Sequence, residues 1–121
     1  MRMLNILACC VAALLIAGEV ARFGGSVRFV PMALDELAVA ALLLWAAWRS
    51  RRDGAVWHLV GWGAFCGLSL VQLVETADHQ MHGPAKAAGP AYLVILSAMF
   101  GLGAGAIGRA LRLCRVHSGQ Q

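Results

Sequence analysis

The stretch AAGPAYLVILSAMFGLGAGAIG, residues 87–108, decides the fold class because it contains no charged side chain. A helix needs about 20 apolar residues to cross the hydrocarbon core of a bilayer, and this stretch has that length. Within hydrocarbon every backbone N–H and C=O group must be paired internally, which a helix achieves. The sequence lacks the alternation of apolar and polar residues that a membrane β-barrel needs. We therefore expect a transmembrane helix here.

Three further apolar runs precede this stretch. They are Met3–Gly18, Leu37–Trp48 and Ala55–Val74. Hydrophobic residues make up 60% of the 121-residue chain and charged residues only 13%, whereas a soluble domain carries about 25% charged residues. The chain therefore lacks the side chains to cover a core with a water-facing surface, and the four runs predict an all-α, integral membrane protein.

Two of the runs reach spanning length only if acidic residues lie near their ends. The first run must continue past Glu19, and the second must extend back to Pro31, which places Asp35 and Glu36 near the membrane interface. With these extensions the chain is one domain, residues 1–121, with four transmembrane helices. We expect the helices at about 3–22, 31–50, 55–82 and 89–112, followed by a disordered tail at 116–121.

Short connections between the runs predict an up-down antiparallel bundle, because neighbouring helices joined by few residues must reverse direction. Gly24-Gly25 is the expected turn between the first two helices, and Ser50–Gly54 joins the second to the third. Gly83-Pro84 is a stop signal for the third helix.

Two small-x3-small patterns, Gly63-x3-Gly67 and Gly101-x3-Gly105, predict close contact between helix backbones. The same pattern suits a contact inside the bundle and a contact between copies in a homo-oligomer. It therefore predicts packing and leaves open which helices pack.

Basic residues divide unevenly between the two ends of the predicted bundle. The end that holds both termini, called the basic end below, carries Arg2, Arg49, Arg51, Arg52, Arg109, Arg112 and Arg115 of the ten basic residues. Cytoplasmic loops carry the excess of Lys and Arg, so the sequence predicts a multi-pass protein of the inner (cytoplasmic) membrane with cytoplasmic N- and C-termini. These arginines suit anionic lipid headgroups, which makes the lipid bilayer the expected partner and not nucleic acid.

The opposite end, called the acidic end below, gathers most of the acidic side chains. They are Glu19, Asp35, Glu36, Glu75 and Asp78, whereas Asp53 lies at the basic end. Antiparallel packing brings the end of the first helix, the start of the second and the end of the third to one depth. We therefore expect Glu19, Glu36 and Glu75 to lie close together.

The segment ETADHQMH, residues 75–82, suggests a metal site at the acidic end. In a continuous helix Glu75, His79 and His82 stand at i, i+4 and i+7 and share one face. Carboxylate and imidazole ligands suit Zn²⁺, Cu²⁺ or Fe²⁺, and helix bundles hold such sites between facing helices. Glu19 and Glu36 are the expected further ligands from the neighbouring helices.

A proton or cation pathway is an alternative use of the same end of the third helix. Gln72 lies one turn inside Glu75 and nearly on its face, and Asp78 lies about 60° to one side. These three residues would line the pathway. A polar rim solvated by water and headgroups accounts for the same residues without a binding site.

Three functions follow from these patterns. The first is binding or transport of a divalent cation or a proton through the Glu/His cluster at the acidic end. The second is a structural or accessory subunit of a larger membrane complex or a homo-oligomer, since almost nothing extends beyond the predicted helices. The third is a membrane-embedded metalloenzyme, which needs an open coordination position. The sequence contains no nucleophile beside a base and no cofactor fingerprint, so an enzyme is the least favoured.

Overall fold

The structure, a computed structural model, describes residues 1–23, 30–83 and 88–118. Four α-helices fill nearly all of these ranges, and no strand occurs within them. The helices are α1 (Arg2–Phe23), α2 (Val30–Asp53), α3 (Val56–His82) and α4 (Gly89–Ser118). The all-α class predicted from the sequence is confirmed.

The last helix extends further than the sequence suggested. α4 continues to Ser118, so residues 116–118 of the expected tail are helical. No Gly or Pro interrupts the chain between Gly108 and Ser118, and this segment is rich in Leu and Arg, which favour helix. Residues 119–121, like the expected turns at Gly24-Gly25 and Pro84, lie outside the described ranges.

The connection between α2 and α3 is shorter than the predicted Ser50–Gly54. α2 continues to Asp53, so Ser50 is helical and only Gly54 and Ala55 separate the two helices. Gly54 has a φ of 90°, a left-handed conformation that glycine adopts without a steric penalty. Arg49 and Asp53 form an ion pair across the last turn of α2, where cations also suit the helix dipole.

Contacts between opposite ends of successive helices establish the up-down antiparallel arrangement. Asn5 at the start of α1 contacts Ser50 at the end of α2, and Gln72 late in α3 contacts Glu36 early in α2. Between α3 and α4, the Cys66 Sγ lies 3.9 Å from the carbonyl oxygen of Phe100. The main packing contacts join helices that are consecutive in the chain.

Small residues of α1 and large residues of α3 form the middle of the core. Ala8 and Ala12 are fully buried, as is Trp62. The Trp62 and Phe65 rings meet edge to face, with centroids 5.6 Å apart, a favourable geometry for aromatic pairs. Trp62 is therefore a core residue, whereas Trp48 at the basic end is half-exposed.

Two glycines allow close approach of the helices. A Cβ atom added to Gly61 would lie 3.0 Å from the Cβ of Ala46, on α2. A Cβ added to Gly103 would lie 2.6 Å from the Sγ of Cys66, on α3. Close backbone packing in the bundle therefore depends on Gly61 and Gly103.

The two glycine pairs singled out by the sequence pattern do not mediate contacts between the described helices. A Cβ added to Gly63, Gly67, Gly101 or Gly105 would meet nothing within 4 Å. Of the two uses that the sequence left open, contact inside the bundle finds no support among the described residues, and contact between copies stays a prediction. On α3 the reason is the helix rotation that buries Trp62, because Gly63 and Gly67 then fall on the opposite side.

Three helices are long and apolar enough to cross a membrane, judged on the described residues. The segments are Arg2–Arg22, Val56–His82 and Gly89–Val116, and each contains an 18-residue window whose mean hydropathy is 2.2, 1.4 and 1.8, respectively. α2, which carries acidic residues near its start and arginines near its end, is not among them on the described residues. This agrees with a helical membrane protein and leaves the fourth span as a proposal.

Candidate functional site

The acidic end of the bundle brings together side chains from three helices. Glu19 is in the last turns of α1, Glu36 is early in α2, and Gln72 lies late in α3. Glu19 is only 3% exposed, and Glu36 is mostly buried. The amide Nε2 of Gln72 donates a hydrogen bond of 2.8 Å to Oε1 of Glu36. We call Glu19, Glu36, Gln72 and the nearby Arg22 the carboxyl cluster.

Arg22 supplies the positive charge of the carboxyl cluster. Its Nη1 lies 3.5 Å from Oε1 of Glu19 and 3.9 Å from Oε1 of Glu36. The contact with Glu19 follows from the helix itself, because the two residues are three apart in α1 and share a face. The Arg22 side chain is 59% exposed, so it lies on the surface side of the carboxyl groups.

The carboxyl groups of Glu19 and Glu36 approach the same nitrogen, Nη1 of Arg22. Two ionised carboxylates at one site repel each other, which favours a proton on the pair. One proton would also balance the charge, because one guanidinium then faces one remaining negative charge. Burial favours this neutral state, since an unpaired charge out of water is costly. The carboxyl cluster therefore has the composition of a single-proton site.

The residues after Gln72 that the metal and pathway hypotheses require do not join this cluster. Glu75, Asp78, His79 and His82 are exposed on α3, and Nδ1 of His82 lies 3.0 Å from Oδ1 of Asp78. Within the described ranges, no three His, Cys, Asp or Glu residues are placed to hold a metal ion. The hypothesis of a Zn, Cu or Fe site at Glu75, His79, His82, Glu19 and Glu36 thus remains an unsupported prediction.

The rotation of α3 explains which residues meet. The buried face of α3 passes through His58, Trp62, Phe65 and Ser69 and reaches Gln72 at the next helical step. Glu75 lies beyond this face and is exposed. The structure therefore brings together Glu19, Glu36 and Gln72 from the predicted site residues, and it separates them from Glu75 and Asp78.

A second polar cluster, at the basic end, consists of Asn5, Ser50 and His58. Oδ1 of Asn5 accepts a hydrogen bond of 2.9 Å from Oγ of Ser50 and lies 2.7 Å from Nε2 of His58. Ser50 is 1% exposed and His58 is 0% exposed. These three side chains link α1, α2 and α3 in the same way that the carboxyl cluster does at the other end.

Sequence reasoning did not identify this second cluster. It gave Asn5 no role and assigned Ser50 to a connection. One signal was present: Asn5 is a lone polar residue in an apolar run, at the same depth as Ser50 and His58 in an antiparallel bundle. Buried polar side chains in membrane helices commonly bond across helices.

An apolar layer separates the two clusters along α3. Ser69 donates a hydrogen bond of 2.8 Å to the carbonyl oxygen of Phe65 in its own helix. Phe65 and Trp62 then fill the core between Ser69 and His58. Within the described residues, Nε1 of Trp62 and Nδ1 of His58 are buried without a hydrogen-bond partner.

Comparisons with protein-family models, with curated proteins and with solved structures find no match to this chain. The chemistry of the carboxyl cluster is therefore the basis for a functional proposal.

Proposed function

We propose that this protein is a small multi-pass membrane protein that binds and releases a proton at the Glu19–Glu36 pair, in proton-linked transport. The observation that carries this proposal is the approach of two carboxyl groups from different helices, one of them buried, to a single guanidinium. Ionisable residues within membrane helices are costly and commonly mark proton or ion pathways.

A proton fits this cluster better than a divalent cation does. Zinc sites use three or four protein ligands, and Ca²⁺ takes six or more oxygen atoms. The carboxyl cluster offers two carboxyl groups, and Gln72 faces Glu36 with its NH₂ group, which is a donor and not a metal ligand. Arg22 lies against both carboxyl groups, and its positive charge would repel a metal ion at this position.

The proposed topology has four spans with both termini in the cytoplasm. α1, α3 and α4 have the length and composition of spans. α2 would be the fourth, with Glu36 near one interface and Arg49 near the other. The start of α1, the α2–α3 turn and the end of α4 share one cavity, lined in part by Met1, Gly54 and Leu113. This is the basic end, which the positive-inside rule assigns to the cytoplasm.

Proton flux into liposomes tests the proposal. The protein is reconstituted with a pH-sensitive dye inside the vesicles, and a pH step and a potassium diffusion potential provide the driving force. We expect flux with the parent protein, its loss in Glu36→Gln, and its retention in Glu75→Gln, an exposed control on α3. Equal flux in the parent and Glu36→Gln would contradict a role for the pair, and no flux in the parent would contradict proton transport.

A second candidate function is that of an accessory subunit or a homo-oligomer. The observation that favours it is the open space around Gly63, Gly67, Gly101 and Gly105. Exposed small residues at this spacing allow another membrane helix to approach closely. Cross-linking in native membranes, followed by mass spectrometry, separates this candidate from a protein that acts alone.

A further inference from the structure

A cavity of about 490 Å³ opens at the basic end, between the start of α1 and the end of α2. Its volume is within the range of ligand-binding pockets. The lining consists of Met1, Arg2, Asn5, Ile6, Ser50 and Arg51. The carboxyl cluster lies at the other end of the bundle, so this cavity is separate from the proposed proton site.

The two arginines that line the cavity differ from their neighbours in having no ion-pair or aromatic partner among the described residues. Arg49 is paired with Asp53, and the guanidinium of Arg52 lies over the ring of Trp48 at 5.4 Å. Arg2 and Arg51 make neither kind of contact within the described part of the chain. No acidic residue lines the cavity, so its positive charge is not compensated by the described residues.

The wall of the cavity adds hydrogen-bond donors of fixed orientation. Oδ1 of Asn5 faces Oγ of Ser50 and Nε2 of His58, which fixes the plane of the amide. The Nδ2 group therefore points away from these two partners, and it has no hydrogen-bond partner among the described residues. Since Asn5 lines the cavity, its two N–H donors are available to a ligand.

We infer that this cavity binds a phosphate group, carried by the headgroup of an anionic phospholipid or present as free phosphate. Two guanidinium groups and an amide NH₂ offer only donors, which suits an anion rich in acceptors. Arginine matches the geometry of phosphate especially well. Met1 and Ile6 add an apolar side to the cavity, which suits the glycerol and acyl part of a lipid.

The test is native mass spectrometry of the delipidated protein in detergent, titrated with phosphatidylglycerol or with phosphatidylcholine. Inorganic phosphate is titrated separately, and thermal unfolding is the readout. The variants are Arg2→Gln and Arg51→Gln, and the control is Arg112→Gln, an exposed arginine of α4 at the same end that does not line the cavity.

We expect phosphatidylglycerol to bind in preference to phosphatidylcholine, and each cavity variant to weaken that binding about tenfold, a change of about 1.4 kcal/mol. Arg112→Gln should change it less than twofold. Free phosphate would be identified as a ligand if inorganic phosphate raises the unfolding temperature of the parent and does not raise that of Arg51→Gln. Binding of neither probe, or equal losses in all three arginine variants, would overturn the proposal.

Asn5→Asp tests the amide donors separately. The aspartate keeps an oxygen toward Ser50 and His58 and replaces the NH₂ group with a second oxygen. We expect phosphatidylglycerol binding to be lost while the circular dichroism spectrum and the elution volume stay those of the parent. Parental affinity in this variant would overturn the assigned binding mode, in which Asn5 donates to the phosphate.

Discussion

Glu19 and Glu36 belong to different helices, and at the acidic end of the bundle Oε1 of each approaches the same nitrogen of Arg22, at 3.5 and 3.9 Å. Gln72 donates a hydrogen bond to Glu36 from α3. Every member of the carboxyl cluster thus faces another member. Charge balance in this arrangement requires one proton, and the predictions below test that requirement and the packing that holds it.

Replacing Arg22 with Gln should make stability depend more steeply on pH. If the pair holds one proton as proposed, loss of the guanidinium makes the folded state favour a second one, whereas both carboxyl groups are ionised in the unfolded chain near neutral pH. A folded state that holds more protons than the unfolded state loses stability as pH rises, by about 1.4 kcal/mol per pH unit for each extra proton. Thermal unfolding in detergent between pH 5 and pH 8 measures the slope.

The control for this measurement is Arg112→Gln, which removes an exposed arginine far from the carboxyl cluster. We expect the parent and this control to share one shallower slope. A slope in Arg22→Gln that equals theirs would mean that the guanidinium does not set the protonation of the pair.

Removing the side chain of His58 should destabilise the bundle strongly. His58→Ala leaves a cavity in the core and removes a polar contact of Asn5 at 2.7 Å, and such changes cost about 2–4 kcal/mol. His79→Ala is the matched control, because His79 is exposed on the same helix and surface changes stay within about 0.5 kcal/mol. Unfolding in denaturant measures both. Equal effects would mean that the Asn5–Ser50–His58 cluster does not stabilise the fold.

Alanine at Gly103 should lower the stability of the protein, whereas alanine at Gly105 should not. Gly103→Ala places a Cβ against the Sγ of Cys66, and such overpacking costs about 1–3 kcal/mol. Gly105→Ala enters open space and should be neutral or stabilise the helix by up to about 1 kcal/mol. Thermal unfolding of the two variants gives the comparison. Greater destabilisation by Gly105→Ala would indicate that its face is covered by a partner, as the accessory-subunit candidate requires.

The metal content of the purified protein tests the metal hypothesis directly. The sequence-based hypothesis predicts stoichiometric Zn, Cu or Fe in the purified protein, and its loss in the double variant His79→Ala, His82→Ala. The exposed positions of both histidines in the structure instead predict equal, sub-stoichiometric metal in the two proteins. Elemental analysis after supplementation with each metal decides between the two expectations.

The sequence was sufficient for the fold class because apolar runs of spanning length permit only helices in hydrocarbon. The sequence also predicted that Glu19 and Glu36 lie at one depth, since the end of α1 and the start of α2 must meet in an antiparallel bundle. The approach of both carboxyl groups to Arg22 follows from that depth and from the position of Arg22 on the same face of α1 as Glu19.

The sequence did not predict the rotation of each helix about its own axis. In a membrane helix the face toward lipid and the face toward protein are both apolar, so hydrophobic periodicity does not distinguish them. On α3 the rotation of the helix decides whether Gln72 or Glu75 faces the other members of the carboxyl cluster. The same uncertainty affects the glycines, where Gly61 packs against α2 and Gly63 does not. The packing of Trp62 sets the rotation that resolves both.

The most direct measurement of the central claim is infrared difference spectroscopy of the protein in lipid, which detects the C=O stretch of a protonated carboxyl group. We predict this band at neutral pH in the parent and in Glu75→Gln, with its loss in Glu19→Gln and in Glu36→Gln as the remaining carboxylate pairs with Arg22. Absence of the band in the parent, or its persistence in both cluster variants, would contradict the assignment of a shared proton to Glu19 and Glu36.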